Sequence, residues 1–223
     1  MSADCGHTIR KMDIISDIRL RTQHDYFDYQ FLTGCLSKYK KPRDKISSLL
    51  AHGDIVRIKK GLYIFGGSHR RQSLSTEILA NLIFGPSYIS LDYALSHHGL
   101  IPERVETLTS VTTGRTRSFD TPVGAFSYQF LPLPKYAIGA HLKEGNQPFL
   151  IASKEKALVD KVWTDKRFSG TNRKDFFQYL EEDLRIELDH LSTLDAGRLH
   201  DIDKAYNSRK IHLLVRFLLE YKE

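Results

Sequence analysis

Cysteine is scarce in this sequence, with Cys5 and Cys35 as the only two among 223 residues. Two cysteines cannot build a disulfide framework or a cysteine-rich zinc site, so we expect a cytoplasmic protein. Apolar runs near the roughly 20 residues that cross a bilayer are also missing, and we expect no membrane association. The first twenty residues contain Asp4, Asp13 and Asp17 but no continuous apolar stretch, which argues against a secretory signal.

The motifs of common enzyme classes are missing as well. The chain has no phosphate-binding Gly-Lys loop, no Gly-x-Ser-x-Gly elbow, no His-Glu-x-x-His helix and no Cys-x-x-Cys pair. The only nuclease-like Glu-x-Lys tripeptide is Glu220-Tyr221-Lys222, at a chain end that is expected to fray. His97 and His98 would point about 100° apart on a helix, which favours a bond to a backbone carbonyl over a shared metal. We therefore expect no enzyme activity, no cofactor and no metal site.

Basic charge is concentrated in the first third of the chain. Residues 1–71 contain 14 Lys and Arg against 7 Asp and Glu, a net charge of +7, whereas the whole chain has a net charge of +6. A basic module joined to a neutral body is typical of proteins that bind phosphate groups. A solvated basic face that maintains solubility is the other interpretation, and charge alone leaves both open.

The first segment is predicted to contain three helices followed by a β-hairpin. Two apolar stripes at helical spacing come first: Met12, Ile15 and Ile18, then Phe31, Leu32, Cys35 and Leu36. Pro42 suits the first turn of a third helix, and Gly53 suits its C-terminal end. The runs 55–58 and 62–65 are strand-like, and Gly61 can supply the positive φ of the turn between them. This order predicts a winged helix-turn-helix domain over residues 1–67, followed by a polar linker.

The third helix is predicted to enter the major groove of DNA. If Ile46, Leu49 and Leu50 face the core, the outer side of this helix carries basic and small hydroxyl residues, which allow contact with bases. The lysines and arginines before the helix and on the hairpin would then contact phosphate. The residues predicted to contact DNA are Lys40, Lys41, Arg43, Lys45, Ser47, Ser48, Arg57, Lys59 and Lys60. Asp44 would be repelled by phosphate unless it caps the helix or accepts a hydrogen bond from a cytosine amine. A winged domain that binds only protein is the alternative.

Residues 74–223 are predicted to form a second, mixed domain that ends in helices, so that the fold class of the whole chain is α+β. Helices are expected at 75–84 and 91–98, and a strand at 105–113. Hairpins are expected at 115–131 and 136–151, and a further helix begins at Ser153. Arg115 and Arg117 are interpreted as solvated residues of an exposed strand. A C-terminal apolar stripe is expected to pack on the body or on a second copy: Ile211, Leu214, Val215, Leu218 and Leu219.

Four stretches of the second segment carry a family resemblance: YISLDYALSHHGLIP at 88–102, TSVTT at 109–113, RSFDTPVG at 117–124 and IASKEKALVD at 151–160. These stretches resemble the AbiEi family of bacterial antitoxins. With Lys60-Gly61-Leu62-Tyr63 on the hairpin, the resemblance spans about residues 25–165. It implies an autorepressor that binds inverted repeats ahead of its own operon and counteracts a nucleotidyltransferase toxin, usually without a stable complex. It implies no catalytic residues.

The leading hypothesis is therefore a DNA-binding antitoxin and transcriptional autorepressor of a type IV toxin–antitoxin operon. Its partners would be double-stranded operator DNA and the cognate nucleotidyltransferase toxin. Two-fold symmetry would match an inverted repeat, either as a homodimer or as two monomers on DNA. The alternative function is a protein-interaction module that restrains a toxin by direct contact without DNA binding.

Overall fold

The chain divides into two compact units between Leu74 and Ser75 in a computed structural model that describes residues 13–221. Met12, Cys5 and Lys222, which the sequence interpretation used, lie outside the described residues. The first unit contains a three-stranded sheet and the second a six-stranded sheet, each packed with helices. This mixture of helices and sheets fits the predicted α+β class. No helix within residues 13–221 is long and apolar enough to cross a membrane.

The first unit contains the predicted helices and hairpin, together with one additional strand. Its elements are α1 (Ile14–Leu20), β1 (Tyr26–Asp28), α2 (Tyr29–Cys35), α3 (Pro42–Ala51), β2 (Ile55–Lys59) and β3 (Leu62–Phe65), followed by a 3₁₀ turn at Gly67–His69. The three strands are antiparallel in the order β1-β3-β2. Strand β1 was not predicted, because three residues are too short to show an alternating pattern and the strand forms only by pairing with β3.

Helix α3 and the hairpin share one core. Ile46 and Leu49 of α3 are buried with Ile55 and Phe65 of the hairpin strands, and Leu50 packs against them from a partly buried position. Pro42 occupies the first turn, as predicted, where its missing N–H leaves no bond unmade. Gly53 ends α3 with a φ of +72°. The shared core fixes the hairpin relative to α3.

The polar segment interpreted as a linker is bonded to the first unit as far as Gln72. The buried carboxylate of Asp25 accepts hydrogen bonds from the backbone N–H groups of Arg71 and Gln72, each at 3.2 Å. Arg70 donates through Nε to the carbonyl of Phe65 at 2.9 Å. These bonds give residues 70–72 a defined path along the first unit.

The second unit alternates strands and helices before ending in helices. Its elements are α4 (Thr76–Ile83), β4 (Ser87–Ile89), α5 (Leu91–His97), β5 (Leu108–Thr112), β6 (Arg117–Thr121), β7 (Gly124–Phe130), α6 (Leu133–Tyr136), β8 (Ala140–Lys143), β9 (Phe149–Ala152), α7 (Lys154–Thr164), α8 (Arg173–Gln178), α9 (Leu188–Leu191), α10 (Ala196–Tyr206) and α11 (Arg209–Glu220). A π-helical turn at Tyr179–Asp183 continues α8. The predicted N-terminal caps are present: Ser75 accepts from the N–H of Ile78, and Ser153 accepts from that of Lys156.

The six strands lie in the order β6-β7-β5-β4-β9-β8, which leaves β6 and β8 at the two edges. The β5–β7 and β4–β9 pairs are parallel, and the others are antiparallel. The hairpin expected at 136–151 is shorter than predicted, because Tyr136 belongs to α6 and the strands begin only at Ala140.

The C-terminal apolar stripe is used within the unit. Ile211, Leu214, Val215 and Leu218 are buried, and α11 contacts α7, α8 and α10. Of the two packing options that the sequence left open for this stripe, the structure shows packing on the body.

Candidate nucleic-acid interface

Two of the four contact residues predicted on helix α3 lie on the side away from the core, and the other two lie at its border. Because Ile46 and Leu49 are buried, the 3.6-residue period places Arg43 and Ser47 on the exposed side. Lys45 and Ser48 are half-buried at the border between the two sides. Lys40 and Lys41 precede the helix and are exposed. The exposed N-terminal half of α3 is therefore basic and carries a small hydroxyl side chain.

Asp44 forms an ion pair at the start of α3. Its carboxylate lies 3.9 Å from the ammonium of Lys41, and both side chains are largely exposed. Asp44 also lies in the first turn of the helix, where a negative charge is stabilised by the helix dipole. Lys41, at the N-cap position, makes no side-chain capping bond. The charge of Asp44 is thus balanced locally, and Lys40 and Arg43 remain as additional cations beside it.

The hydroxyl of Ser47 has a local partner. Its Oγ donates to the carbonyl oxygen of Arg43 at 3.1 Å, one turn earlier in α3. An Oγ that donates in this way still has lone pairs that can accept a hydrogen bond. Ser47 can therefore accept from a base or amine without losing its bond to the helix.

The hairpin carries the other three predicted residues. Arg57 and Lys60 are exposed, and Lys59 is half-buried beside a shift in the β2–β3 register. Gly61 has a φ of +90°, which the turn requires. Its carbonyl accepts from the N–H of Tyr29 at 3.0 Å, so the hairpin turn is bonded to the start of α2. The hairpin cations are therefore held on a fixed turn.

Other cations of the first unit are used internally. Arg19 donates to Asp25 at 2.6 Å, and its guanidinium lies 3.6 Å from the centre of the Phe65 ring. Lys38 donates to Asp17 at 2.7 Å; this bond holds the pKa of the Asp17 carboxyl below its usual range and raises the pKa of Lys38. Arg21 and Arg71 also bond within the unit.

With these internal cations and Arg70 set aside, the other lysines and arginines between residues 13 and 74 are those predicted to contact DNA. They are Lys40, Lys41, Arg43, Lys45, Arg57, Lys59 and Lys60. Acidic groups are also used elsewhere: Asp17 and Asp25 pair with cations, Asp28 caps α2, and Asp54 lies 3.2 Å from His69. These seven cations, among them Lys41 with its partner Asp44, form a basic surface on α3, its preceding loop and the hairpin. We call this surface the α3–hairpin surface.

The paired histidines have structural contacts. His98 Nε2 lies 2.8 Å from the carbonyl oxygen of Ala152, so its carbonyl partner is at the end of β9 rather than in its own helix. His97 Nε2 lies 2.6 Å from Lys143 Nζ. Burial lowers the pKa of both imidazoles. Within residues 13–221, no group of three or more His, Cys, Asp or Glu side chains is placed to hold a metal ion.

A fully buried polar cluster in the second unit was not predicted. Lys156 and Asp160, one turn apart on α7, form an ion pair, and Tyr206 of α10 bonds to both side chains. Asp160 Oδ2 also accepts from Ser90 at 2.7 Å and from Tyr88 at 3.2 Å. We call these five residues the Lys156 cluster. Burial lowers the pKa of Lys156 and raises those of Tyr88 and Tyr206.

The Lys156 cluster joins elements rather than opening to a ligand. Lys156 and Asp160 are both inaccessible to solvent, and they connect α7 to α10 and to the β4 region. The sequence contains one signal for this cluster, which is a Lys and an Asp four residues apart within the apolar run of α7. Such a pair on a buried helix face needs partners inside the protein. Its partners are distant in sequence and could not be inferred.

Comparisons with known proteins add little. No family model matches this chain, and no curated protein matches it. One solved structure, described as "putative nucleotidyltransferase from H. pylori", covers 66% of this chain and 87% of its own at 15% identity and a TM-score of 0.29. A TM-score this low carries no argument about fold or activity.

Proposed function

We propose that the protein is a DNA-binding antitoxin and autorepressor whose first unit is a winged helix. The single observation that carries the DNA-binding part is the charge separation in that unit. Cations distant from α3 and the hairpin are bonded internally, whereas the remaining ones form the α3–hairpin surface. A protein that needed only solubility would have no reason to gather Lys40, Arg43, Lys45, Arg57 and Lys60 on one helix start and one hairpin.

The order of elements supports the same proposal. A helix-turn-helix protein places its second motif helix in the major groove with the N-terminal residues nearest the bases. Helices α2 and α3 would form this motif, with Arg43 and Ser47 at the reading end of α3. The β2–β3 hairpin would be the wing, and Arg57 and Lys60 would contact phosphate from it. Lys40 and Lys41 would contact the backbone beside the groove.

The antitoxin part of the proposal rests on the resemblance to the AbiEi family. The resembling stretches 88–102 and 151–160 form β4, α5, the end of β9 and the first half of α7. These elements include Tyr88, Ser90, Lys156 and Asp160 of the Lys156 cluster, so they belong to the structural centre of the second unit. The second unit would carry the activity that counteracts a cytoplasmic nucleotidyltransferase toxin.

Gel-shift titration of DNA from directly upstream of the protein's own gene tests the DNA-binding part. We expect Arg43→Ala and Lys45→Ala each to weaken binding by about 1–3 kcal/mol if the side chain contacts a base specifically. Arg167→Ala is the matched control, because Arg167 is a 94% exposed arginine of the second unit. Unchanged affinity in both α3 variants would exclude α3 as the reading helix.

Growth rescue tests the antitoxin part separately. Cells that express the proposed nucleotidyltransferase toxin should recover growth when the full chain is co-expressed from an unrelated promoter. We expect Arg43→Ala to rescue as well as the wild type, since an α3 side chain should matter only for repression. Failure of the wild-type chain to rescue would refute the antitoxin assignment and leave the DNA-binding test unaffected.

A further inference from the structure

Strand β8 is an exposed edge of the second unit's sheet. All four of its residues, from Ala140 to Lys143, are exposed, and β9 is its only strand neighbour within the described chain. An edge strand offers unpaired N–H and C=O groups to any other extended chain. The neighbouring side chains determine what such a chain would have to be.

The backbone register shows which groups of β8 point outward. The carbonyl of Gly139 accepts from the N–H of Ser153 at 2.8 Å, and the antiparallel pairing continues from Ala140 to Lys143. Bonded and non-bonded pairs alternate along such a ladder, so His141 and Lys143 bond to β9. Ala140 and Leu142 therefore direct their N–H and C=O groups away from β9. Neither residue has a backbone bond to another strand in the part of the chain that the structure describes.

The strand opposite β8 follows the same alternation. Leu150, which pairs with Leu142, has its N–H and C=O bonded to the side chain of Asn81 at 2.6 and 3.3 Å rather than to β8. The outward direction at Leu142 is thus supported from both strands. Leu142 is also 55% exposed, although it is an apolar residue in a strand.

A groove runs beside this edge. A cavity of about 300 Å³ lies between the start of β8 and helix α10. Its apolar lining includes Ile138, Ala140 and Ile202, and its polar lining includes His141, Arg198 and Asp201. A strand added to β8 would place alternate side chains into this groove, which is how strand addition gains specificity.

The far wall of the groove is anchored at both ends by α7. Glu155 Oε1 accepts from the N–H of Asp195 at 2.8 Å, just before α10 begins, and Tyr206 at the end of α10 bonds to Lys156 and Asp160. The second oxygen of Glu155 is buried, has no hydrogen-bond partner among residues 13–221 and lies 3.8 Å from Arg198. Arg198 itself is 64% exposed, so its guanidinium can reach an incoming group.

The charges favour an acidic occupant. Residues 138–143 contain His141 and Lys143 but no carboxylate, and Arg198 lines the groove together with His141. Asp201, the acidic residue of the lining, lies 4.0 Å from Lys204. A second copy pairing antiparallel through β8 would bring the same six residues opposite one another, and residues 138–143 offer no carboxylate to pair with Lys143.

We propose that β8 and the groove beside α10 bind an extended, acidic segment of a partner protein as an added strand. The segment would alternate acidic with small apolar residues, so that the acidic ones lie on the face of His141 and Lys143 and the apolar ones on the face of Ala140 and Leu142. This inference does not depend on DNA binding by the first unit or on the antitoxin assignment.

The test uses the full-length chain labelled with ¹⁵N and two capped synthetic octapeptides. One peptide alternates Glu and Val, and the other alternates Lys and Val. We expect only the Glu/Val peptide to bind, and we expect it to slow hydrogen exchange at the amides of Ala140 and Leu142 by about tenfold or more. Equal binding of both peptides, or protection elsewhere but not at these amides, would overturn the proposal.

Leu142→Pro removes an outward N–H without removing a β8–β9 bond. We expect it to weaken Glu/Val peptide binding about tenfold relative to Leu142→Ala, which shortens the side chain but keeps the N–H. Arg198→Glu is a second variant that leaves β8 unchanged, and it should shift the preference toward the Lys/Val peptide. If Leu142→Pro folds and binds like Leu142→Ala, or if Arg198→Glu keeps the original preference, the proposal is wrong. Protection of Ala140 and Leu142 that rises with protein concentration alone would identify a second copy as the occupant instead.

Discussion

Asp160→Asn should destabilise the second unit by about 3–5 kcal/mol, because it leaves the buried ammonium of Lys156 without a counter-charge. Asn keeps the size of Asp, and its carbonyl oxygen can accept from Ser90 and Tyr88, but its amide NH2 then faces Lys156 and cannot accept, so the change removes both the charge and one acceptor. Both members of the pair are inaccessible to solvent, and water cannot replace the lost carboxylate. Trp163 is the only tryptophan of the chain and lies 5.6 Å from the Tyr206 ring. Its fluorescence during urea unfolding therefore reports on this unit.

Two further variants make the expectation for Asp160 specific. Asp201→Asn, an exposed carboxylate on α10, should change the free energy of unfolding by less than about 0.5 kcal/mol. Lys156→Met combined with Asp160→Asn should be more stable than Asp160→Asn alone, since no uncompensated charge remains. If Asp160→Asn costs no more than the exposed control, the cluster does not stabilise the unit as described.

Neutralising the phosphate-facing cations should change how DNA binding depends on salt. We expect the wild-type affinity to fall about 1,000-fold or more between 50 and 200 mM salt, because several Lys and Arg residues of the α3–hairpin surface displace counterions. Replacing Lys40, Lys41, Arg57 and Lys60 together with Gln should reduce the slope of log K against log salt by about 3–4. Fluorescence anisotropy with a labelled operator duplex at several salt concentrations measures this slope.

The matched control removes the same net charge from the second unit. Arg104, Arg167, Arg185 and Lys204 have exposed side chains, and their combined replacement with Gln should leave the salt slope unchanged. A smaller slope in both quadruple variants would mean that net charge, rather than the α3–hairpin surface, controls binding. An unchanged slope in the α3–hairpin variant would refute phosphate contact by these residues.

Features of the fold that depend on neighbouring residues could be predicted from the sequence. Pro42, Gly53, Ser75 and Ser153 set helix ends through bonds within a few positions, and the structure has each of these ends. Strand β1 could not be predicted, because Phe27 becomes part of a strand only by pairing with Tyr63, far along the chain. The strand order of the second sheet depends on such distant pairs throughout.

The same limit applies to the candidate site. The basic residues of α3 and the hairpin are evident from the sequence. Which other lysines and arginines are bonded within the folded unit is not evident from the sequence. Arg19 and Lys38 are as basic as Arg43, and only the folded chain brings Asp25 and Asp17 to them. The Lys156 cluster shows this more strongly, since Tyr206 is 50 positions away from Lys156.

The double attachment of α10 to α7 has a consequence for recognition. Helix α10 is held at its start by the bond between Asp195 and Glu155 and at its end by the bond between Tyr206 and Lys156. These bonds oppose any shift of α10 when a segment binds. The α10 wall of the groove beside β8 therefore has its bound position before a segment docks, and ordering this wall costs little entropy. Such rigidity favours selectivity by shape: a segment with a bulky side chain at the wrong position would be rejected rather than accommodated.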